Sequence, residues 1–347
     1  MDDSLRDVRE RIQLLLELDS KPLIDWELAS ILRLIEEWGS LLKASRLLGV
    51  PYSRAWERIS RAERLAGFKL VVARRGGAER GGMRLTEEGK RLLQRYLEAE
   101  RRILDAYRMM TAGEVKAPDL TLAHSHDIFL TVILDRLRSE GLDIEDACIG
   151  SGLALASLSL GECDVAASHL YDPETGEYNQ SFLEAYWLTD RVEVIGGYMR
   201  ELVFAYRPGL EPLTLEETLK GLIEGELRLI NRNRGSGTRV YLDHLLGPLC
   251  GDPSRRVRGY DLITYTHSET ARAVASGRAD VCLTLRHSAE VYGLEATHVT
   301  WERYEYIALR ERLERRGVQR LRELLSSDWL KNLIGSTPGY KPLPLVE

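Results

Sequence analysis

Several short loops in the C-terminal two thirds of the chain combine residue types that bind anions. Backbone N–H groups freed by glycine, together with hydroxyl donors at the start of a helix, form an oxyanion site. Residues 231–239, NRNRGSGTR, add arginine side chains, which favour a ligand larger and more anionic than a small oxyanion. The candidate ligand-binding residues are Ser125, His126, Ser151, Ser168, Arg234, Ser236, Gly237, Thr238, Arg239 and Ser268.

Catalysis is the competing chemistry for the same segments. His126 with Asp127, or His169 near Tyr171, has the composition of an acid–base pair. No nucleophile elbow, metal signature or P-loop accompanies these pairs, and GSGTR lacks the Lys-Ser/Thr of a phosphate-cleaving loop. We therefore predict that the protein is not an enzyme and uses neither a cofactor nor a metal.

A basic segment in the N-terminal third has the composition of a nucleic-acid-binding module. Residues 40–84 carry eleven Lys or Arg against three acidic residues, although the whole chain has a net charge of −6. Such a segment on an otherwise acidic protein indicates a surface for a polyanion, with a solvated basic face as the alternative. The candidate DNA-binding residues are Tyr52, Ser53, Arg54, Arg58, Arg61, Arg74, Arg75 and Arg80.

Helices and a hairpin must position this basic segment. The apolar spacing predicts a helix over residues 23–37, a short second helix over 40–49 and a third from Pro51, with Trp56 in the core. Two short helices joined by a tight turn, the second basic and exposed, form a helix-turn-helix. FKLVVARR, GGAERGG and MRLTEEG then form a hairpin, or wing. The long amphipathic helix 87–110 is typical of a dimer strut, and packing on its own domain is the alternative.

The rest of the chain alternates strands and helices, which predicts an α/β domain. The strands include LTLAH, DACIG and DVAASHL, then VEVIGG, ELVFAYRPG, LRLIN, DLITY and DVCLTL. A weak internal echo between LALASLSLGECDVAASHL and TARAVASGRADVCLTLRHS indicates two similar lobes. With crossovers near residues 201–207 and 300–309, the lobes form a clamshell that closes on its ligand by hinge motion. The ligand is expected beyond the carboxyl ends of the parallel strands.

The predicted fold class is multidomain. An all-α winged helix-turn-helix domain spans residues 1–86, and a linker or dimerisation helix spans 87–112. An α/β two-lobed domain of the type II periplasmic-binding-protein kind spans 118–347. No apolar run approaches the ~20 residues of a membrane helix, and the charged N-terminus lacks a signal peptide's apolar core, so a cytoplasmic protein without membrane contact is expected. Four widely separated cysteines are expected to be small buried hydrophobic residues.

Residues 22–110 resemble the winged-helix domain of ModE-type, molybdate-responsive regulators and, more loosely, that of LysR-type regulators. The resemblance rests on the AS–LGV–YSRAW segment, the glycine-rich wing RRGGAERGG and the LTEEG at the start of the linker helix. The resemblance implies a homodimer, or a higher homo-oligomer, that binds a palindromic operator in double-stranded DNA. Tyr52, Ser53, Arg54 and Arg58 would then face the major groove.

Residues 120–335 resemble the PBP-like sensor domain that is fused to ModE-type winged helices and is related to the molybdate- and tungstate-binding proteins of ABC transporters. NRNRGSGTR is the most specific carrier, with GSG and GRADV beside it. The resemblance implies a small anionic effector, with molybdate or tungstate first and a molybdenum-cofactor precursor second. The chain lacks the small β-barrel domains through which ordinary ModE regulators sense molybdate. A LysR-type regulator that senses an organic acid therefore stays open as the alternative.

Overall fold

The computed structural model of the protein describes residues 13–74, 82–110 and 117–344. The chain divides into two compact units, Met1–Lys116 and Ala117–Glu347. Within the described ranges, no helix combines the length and the apolar character that crossing a bilayer requires.

The N-terminal unit is a winged helix-turn-helix preceded by a small hairpin. Its helices end at glycines in the left-handed conformation, with φ of 63° at Gly39, 66° at Gly49 and 77° at Gly67. Asp25 and Ser40 cap the first two helices by accepting backbone N–H groups. The elements are β1 (Leu15–Leu18), β2 (Lys21–Asp25), α1 (Trp26–Trp38), α2 (Leu41–Leu48), α3 (Tyr52–Ala66), β3 (Val71–Arg74), β4 (Gly82–Leu85) and α4 (Glu87–Met110).

Two side chains fix the wing on the helices. The buried carboxylate of Glu63 in α3 accepts the backbone N–H of Leu70 at 2.9 Å, just before β3. Thr86 donates its hydroxyl to the backbone oxygen of Lys69 and caps Gly89, at the start of α4. A Cβ on Gly89 would lie 2.2 Å from the backbone oxygen of Leu70, so only glycine allows this approach. The LTEEG motif thus has a structural explanation.

The C-terminal unit contains a seven-stranded mixed sheet with the order β11-β8-β12-β7-β5-β6, and β13 pairs with β8. β5 is parallel to β6 and β7, whereas β12 runs antiparallel to β7 and β8. Its strands are β5 (Leu120–His124), β6 (Ile144–Cys148), β7 (Val165–Ser168), β8 (Val192–Tyr206), β9 (Asn231–Arg232), β10 (Ile263–Thr264), β11 (Val281–Leu285), β12 (Ala296–Leu309) and β13 (Tyr340–Pro342). Its helices are α5 (Ile128–Ser139), α6 (Ser151–Leu160), α7 (Gln180–Ala185), α8 (Leu215–Ile223), α9 (Gly237–Cys250), α10 (Pro253–Arg256), α11 (His267–Ala275), α12 (Arg286–Val291), α13 (Arg316–Ser326) and α14 (Asp328–Gly335).

Two long strands join the two lobes of this unit. Lobe 1 contains β5, β6 and β7, and it meets β12 at Glu305–Ala308. Lobe 2 contains β9, β10 and β11, and β11 meets β8 at Leu202–Tyr206. Each lobe has its own core, around Leu155 and Leu158 in lobe 1 and around Val274 and Cys282 in lobe 2. The multidomain fold class, with a winged helix-turn-helix followed by a two-lobed α/β domain, is confirmed.

The structure corrects several local predictions. Residues 23–25 end a strand, so the first helix begins at Trp26, and the hairpin of β1 and β2 was not predicted. Trp56 is 42% exposed rather than in the core, because it lies at the edge of the buried face that Ala55 and Ile59 form on α3. VEVIGG and ELVFAYRPG form one continuous strand, β8, and LRLIN and DLITY contribute only the two-residue strands β9 and β10.

The cysteine prediction holds for two of the four residues. Cys163 and Cys282 are buried in the cores of lobe 1 and lobe 2. Cys148 is exposed because β6 lies at the edge of the sheet, and Cys250 is half-buried near the end of α9.

Candidate functional site

Two serines of lobe 1 lie side by side at the ends of parallel strands. His124 of β5 pairs with Ala167 of β7, so Ser125 and Ser168 follow at the same edge of the sheet. Both side chains are buried, and their hydroxyls have no hydrogen-bond partner among the described residues. A buried hydroxyl without a partner costs free energy, and a bound ligand would remove this cost.

Lobe 2 faces these serines with a buried guanidinium and a hydroxyl. Arg232, at the end of β9, is only 6% exposed. One of its nitrogens donates to the backbone oxygen of Tyr265 at 2.8 Å. Its Nε and Nη1, and the hydroxyl of the buried Thr238, have no hydrogen-bond partner within the described ranges. Burial, and then the positive charge of Arg200, lower the pKa of Arg232 to about 10.

The two lobes meet at glycines around this group. A Cβ on Gly237 would lie 2.6 Å from Cε1 of His169, so the first turn of α9 packs directly on the imidazole of lobe 1. The Cβ position of Gly150 lies 3.9 Å from the backbone oxygen of Gly235. No side-chain hydrogen bond caps α6 or α9 at these ends, whereas Asp127 caps α5. Two helix N-termini without a side-chain cap therefore lie where the lobes meet.

An ion-pair cluster on the two long strands forms the floor of the site. Arg200 of β8 lies opposite Glu302 of β12 in the strand register. Its guanidinium lies 2.5 Å from Glu302 and 2.9 Å from Asp127, and all three side chains are buried. Burial alone would raise the pKa of Glu302, but the positive charge of Arg200 and the contacts with His169 and Arg200 together outweigh burial and hold the pKa at about 2. Arg200 is thus paired with two buried carboxylates, although its Nε and Nη2 and Oε1 of Glu302 make no hydrogen bond among the described residues.

Three histidines around the site, His126, His169 and His267, are uncharged near neutral pH. Loss of solvent, and then the positive charge of Arg232, lower the pKa of His126 to about 4. The same two causes hold the pKa of His267 well below its usual value. Burial also lowers the pKa of His169, although Glu302, 3.2 Å from its Nδ1, opposes this shift. The positive charge at this site therefore comes from Arg232. Within the described residues, its guanidinium donates to a backbone oxygen and to no carboxylate.

The other predicted ligand residues are occupied or exposed. Ser151 accepts the backbone N–H of His169 at 3.2 Å, and Ser268 shares a hydrogen bond with Tyr292. Arg239 donates to the backbone oxygen of Arg232 and lies over the ring of Tyr260, so it supports the loop. Ser236 is half-buried at the N-cap of α9, and Arg234 is exposed.

Sequence reasoning noted the arginines of NRNRGSGTR but did not place Arg232 among the ligand-binding residues, and it missed Arg200 and Glu302. Arg232 lies inside the NRNRGSGTR motif, but its burial depends on the pairing of β9 with β10. Arg200 and Glu302 lie in the middle of long strands without a local motif, and only the register of β8 with β12 brings them together. One signal was available: Glu302 is a charged residue within the predicted crossover at 300–309, whereas Arg200 lies between the predicted strands VEVIGG and ELVFAYRPG.

The N-terminal unit exposes part of the predicted DNA surface. Tyr52, Ser53, Arg54 and Arg61 are exposed on α3, together with Trp56. Arg54 also lies 3.0 Å from Glu27 of α1, but its side chain remains 61% exposed. This arrangement leaves an amphipathic helix with a polar and aromatic outer face, as a recognition helix requires.

Arg58 has a different position from its predicted partners. Its guanidinium pairs with Asp25 and lies 3.4 Å from Glu27, and its side chain is 29% exposed. Arg58 therefore ties α3 to the start of α1. Of the predicted wing residues, Arg75 and Arg80 lie outside the described residues, as does the side chain of Arg74.

Family models match both units of the chain. Residues 134–326, more than half of the chain, match the model described as the PBP superfamily domain. This chain belongs to the PBP superfamily. Residues 26–90 match the model of the bacterial regulatory helix-turn-helix proteins of the lysR family. The N-terminal unit of this PBP-superfamily chain is therefore a LysR-like and ModE-like winged helix-turn-helix.

Similar proteins include regulators named ModE. The chain is 30% identical over 192 residues to the uncharacterized protein YvgK of Bacillus subtilis, covering 55% of this chain and 61% of that protein. It is 31% identical over 128 residues to the molybdenum transport protein ModE of Azotobacter vinelandii, covering 33% of this chain and 47% of that protein. It is 34% identical over 89 residues to the DNA-binding transcriptional dual regulator ModE of Escherichia coli, covering 26% of this chain and 34% of that protein. The chain thus spans less than two thirds of each of these relatives.

Proposed function

We propose that this protein is a DNA-binding transcriptional regulator whose sensor domain binds a small oxyanion, with molybdate or tungstate as the first candidates. The observation that carries the proposal is Arg232, a buried guanidinium with two nitrogens that lack hydrogen-bond partners in the described structure. An anion would satisfy both nitrogens and offset the loss of hydration around the charge. The regulatory role is supported by the lysR-family match and by the ModE relatives, which are named as regulators.

A tetrahedral oxyanion suits the donors around Arg232. Ser125 and Ser168 lie in lobe 1 next to His126 and His169, whose pKa values the charge of Arg232 lowers, and Thr238 lies in the first turn of α9 in lobe 2. Hydroxyl and amide donors from several directions match the oxygens of a tetrahedral anion better than the two oxygens of a planar carboxylate. Because the donors belong to different lobes, ligand binding would favour the closed form by its differential affinity.

An organic acid is the second candidate ligand. The neutral His126, whose Nδ1 is buried without a partner in the described structure, adds a group that could bond to a hydroxyl or keto oxygen. A carboxylate would still pair with Arg232. The two candidates differ in the geometry of the anion, so a panel of ligands separates them.

DNA binding is assigned to the outer face of α3 and to the wing. Tyr52, Ser53, Arg54, Trp56 and Arg61 form the exposed face that would enter the major groove. In a homodimer, two such helices would lie about one helical turn apart, ~34 Å, on a palindromic operator. The long helix α4 is the candidate for the dimer contact, since Leu97, Ile103 and Leu104 are exposed on it.

The test is a thermal-shift and calorimetry panel on the full-length protein with molybdate, tungstate, sulfate, phosphate, several organic acids and pterins. Sub-micromolar binding of molybdate or tungstate, with much weaker binding of the other compounds, is the expected result. Binding of an organic acid alone would replace the oxyanion by the second candidate. If none of the compounds binds, the sensor assignment is refuted, and the DNA-binding assignment is tested separately.

A further inference from the structure

One face of α9 lies against lobe 1 beyond the candidate ligand site. Gly237, Tyr241 and His244 are spaced four and three residues apart, so they share one side of the helix. Gly237 packs on His169 in the first turn. Tyr241 and His244 continue the same contact over the next two turns, which makes a continuous seam between the lobes.

The seam consists of aromatic rings from both lobes. The ring of Tyr171 in lobe 1 lies 4.8 Å from that of Tyr241 in an edge-on arrangement, and 5.2 Å from that of His244. Tyr178 in lobe 1 lies 5.3 Å from Tyr171 on its other side. Edge-on and tilted pairs at these separations are attractive beyond the apolar area that they bury.

Each ring is held in place by its own side of the seam. Tyr171 and Tyr178 form an antiparallel backbone bridge in lobe 1. Tyr241 and His244 are carried by the helix α9 of lobe 2. The two surfaces are therefore ordered before they meet, so closing the lobes does not require much additional loss of side-chain entropy.

The rings are separate from the cores that stabilise the lobes. All four are half-buried, whereas the core of lobe 1 is built around Leu155 and that of lobe 2 around Val274. Loss of one ring therefore weakens the contact between the lobes without opening a cavity inside either lobe.

We infer that Tyr171, Tyr178, Tyr241 and His244 form an aromatic clasp that holds the two lobes closed even without ligand, and that its strength sets the rate of ligand release. The contacts join side chains of different lobes, so they exist only in the closed form. α9 carries both Thr238, in the candidate ligand site, and Tyr241, in the clasp. The clasp and the ligand thus stabilise the same arrangement. The part of this inference that concerns ligand release rests on the proposed function, whereas closure does not.

The experiment measures the distance between the lobes by pulsed electron paramagnetic resonance in the full chain. Spin labels are placed through Leu160→Cys in lobe 1 and Leu249→Cys in lobe 2, both exposed positions. The background carries Cys148→Ser and Cys250→Ser, since those two native thiols are accessible to labels. Tyr241→Ala is compared with Tyr241→Phe, which keeps the ring, and with Trp187→Ala, which removes an 81% exposed ring outside the clasp.

Without ligand, the parent, Tyr241→Phe and Trp187→Ala are expected to give the same narrow distribution of distances. Tyr241→Ala is expected to broaden it toward longer distances, and to speed molybdate release about three- to tenfold, since it removes the ring contact between Tyr241 and Tyr171. An unchanged distribution in Tyr241→Ala, or an open parent without ligand, overturns the clasp. If the distances shift as expected but no anion binds, the clasp stands and the oxyanion proposal fails. If molybdate binds but all four proteins give identical distances, the oxyanion proposal stands and the clasp fails.

Discussion

The two candidate anion sites of this protein use arginine in opposite ways. In the sensor domain, Arg232 is buried, and two of its nitrogens lack partners in the described structure. On the recognition helix, Arg54 is exposed to water and already lies beside Glu27. A buried charge contributes a large binding free energy when it pairs with one well-placed anion. Exposed charges each contribute little, so many of them are needed for tight binding. The comparison indicates a selective site for a small ligand in one unit and a salt-sensitive surface for a polyanion in the other.

A second contrast lies inside the sensor domain, between two buried arginines. Arg200 is balanced by Asp127 and Glu302, and it is part of the folded structure. Arg232 has no such balance. The predictions below test these contrasts, beginning with the largest expected effect.

Arg200→Met is expected to destabilise the protein by about 3–5 kcal/mol, because it leaves Asp127 and Glu302 buried without their cation. Arg232→Met is expected to leave stability unchanged or to raise it, since it removes a buried charge that lacks two hydrogen bonds. Urea unfolding of the two variants measures the difference. Equal losses of stability would contradict the distinction between the two arginines.

DNA affinity is expected to fall about 40-fold between roughly 50 and 200 mM salt, if the exposed surface neutralises about three phosphates. Oxyanion affinity is expected to change by less than about threefold over the same range, because screening acts weakly on a buried pair. Fluorescence anisotropy with a labelled duplex and calorimetry with molybdate provide the two curves. A steep curve for the oxyanion would place its site at the surface.

Thr238→Val is expected to weaken oxyanion binding about five- to tenfold by removing one hydroxyl donor at nearly constant volume. Ser268→Ala serves as the matched comparison, because Ser268 already bonds to Tyr292. Its effect is expected to stay below about twofold. Calorimetry of both variants measures this, and a larger effect of Ser268→Ala would move the site toward α11.

Arg58→Ala is expected to lower stability by less than about 1 kcal/mol, because it removes a partly exposed ion pair with Asp25. Arg61→Ala is expected to leave stability unchanged and to weaken DNA binding several-fold, because its side chain is exposed on α3. Chemical unfolding and duplex titration together separate the two roles. Normal DNA binding by Arg61→Ala would exclude it from the interface.

Local sequence patterns predicted those features that depend on neighbours along the chain. Ala55, Ile59, Ala62 and Leu65 recur at helical spacing in the sequence, and the first three are buried on α3 while Leu65 is half-buried. Trp56 was predicted to lie in the core, but it is 42% exposed, because its position at the edge of the buried face does not by itself fix its burial. The hairpin of β1 and β2 was missed because its turn uses Asp19 and Ser20 at positive φ, where glycine or asparagine is the usual signal.

The charged floor of the sensor site could not be predicted in this way. Arg200 and Glu302 are more than a hundred positions apart, and they meet only through the pairing of β8 with β12. The hydroxyl loops were found because strand ends and glycines are visible in the sequence. Tertiary contacts decide which of these hydroxyls lack a hydrogen-bond partner. Ser151, for example, accepts the backbone N–H of His169.

The most direct test of the central claim is a calorimetric titration of molybdate into the wild-type protein and into Arg232→Gln. Arg255→Gln, with a side chain that is 84% exposed, serves as the matched control for loss of one arginine. Wild type and Arg255→Gln are expected to bind equally, and Arg232→Gln is expected to bind about 100-fold more weakly or not at all. Equal binding by all three proteins would contradict the assignment of the oxyanion site to Arg232.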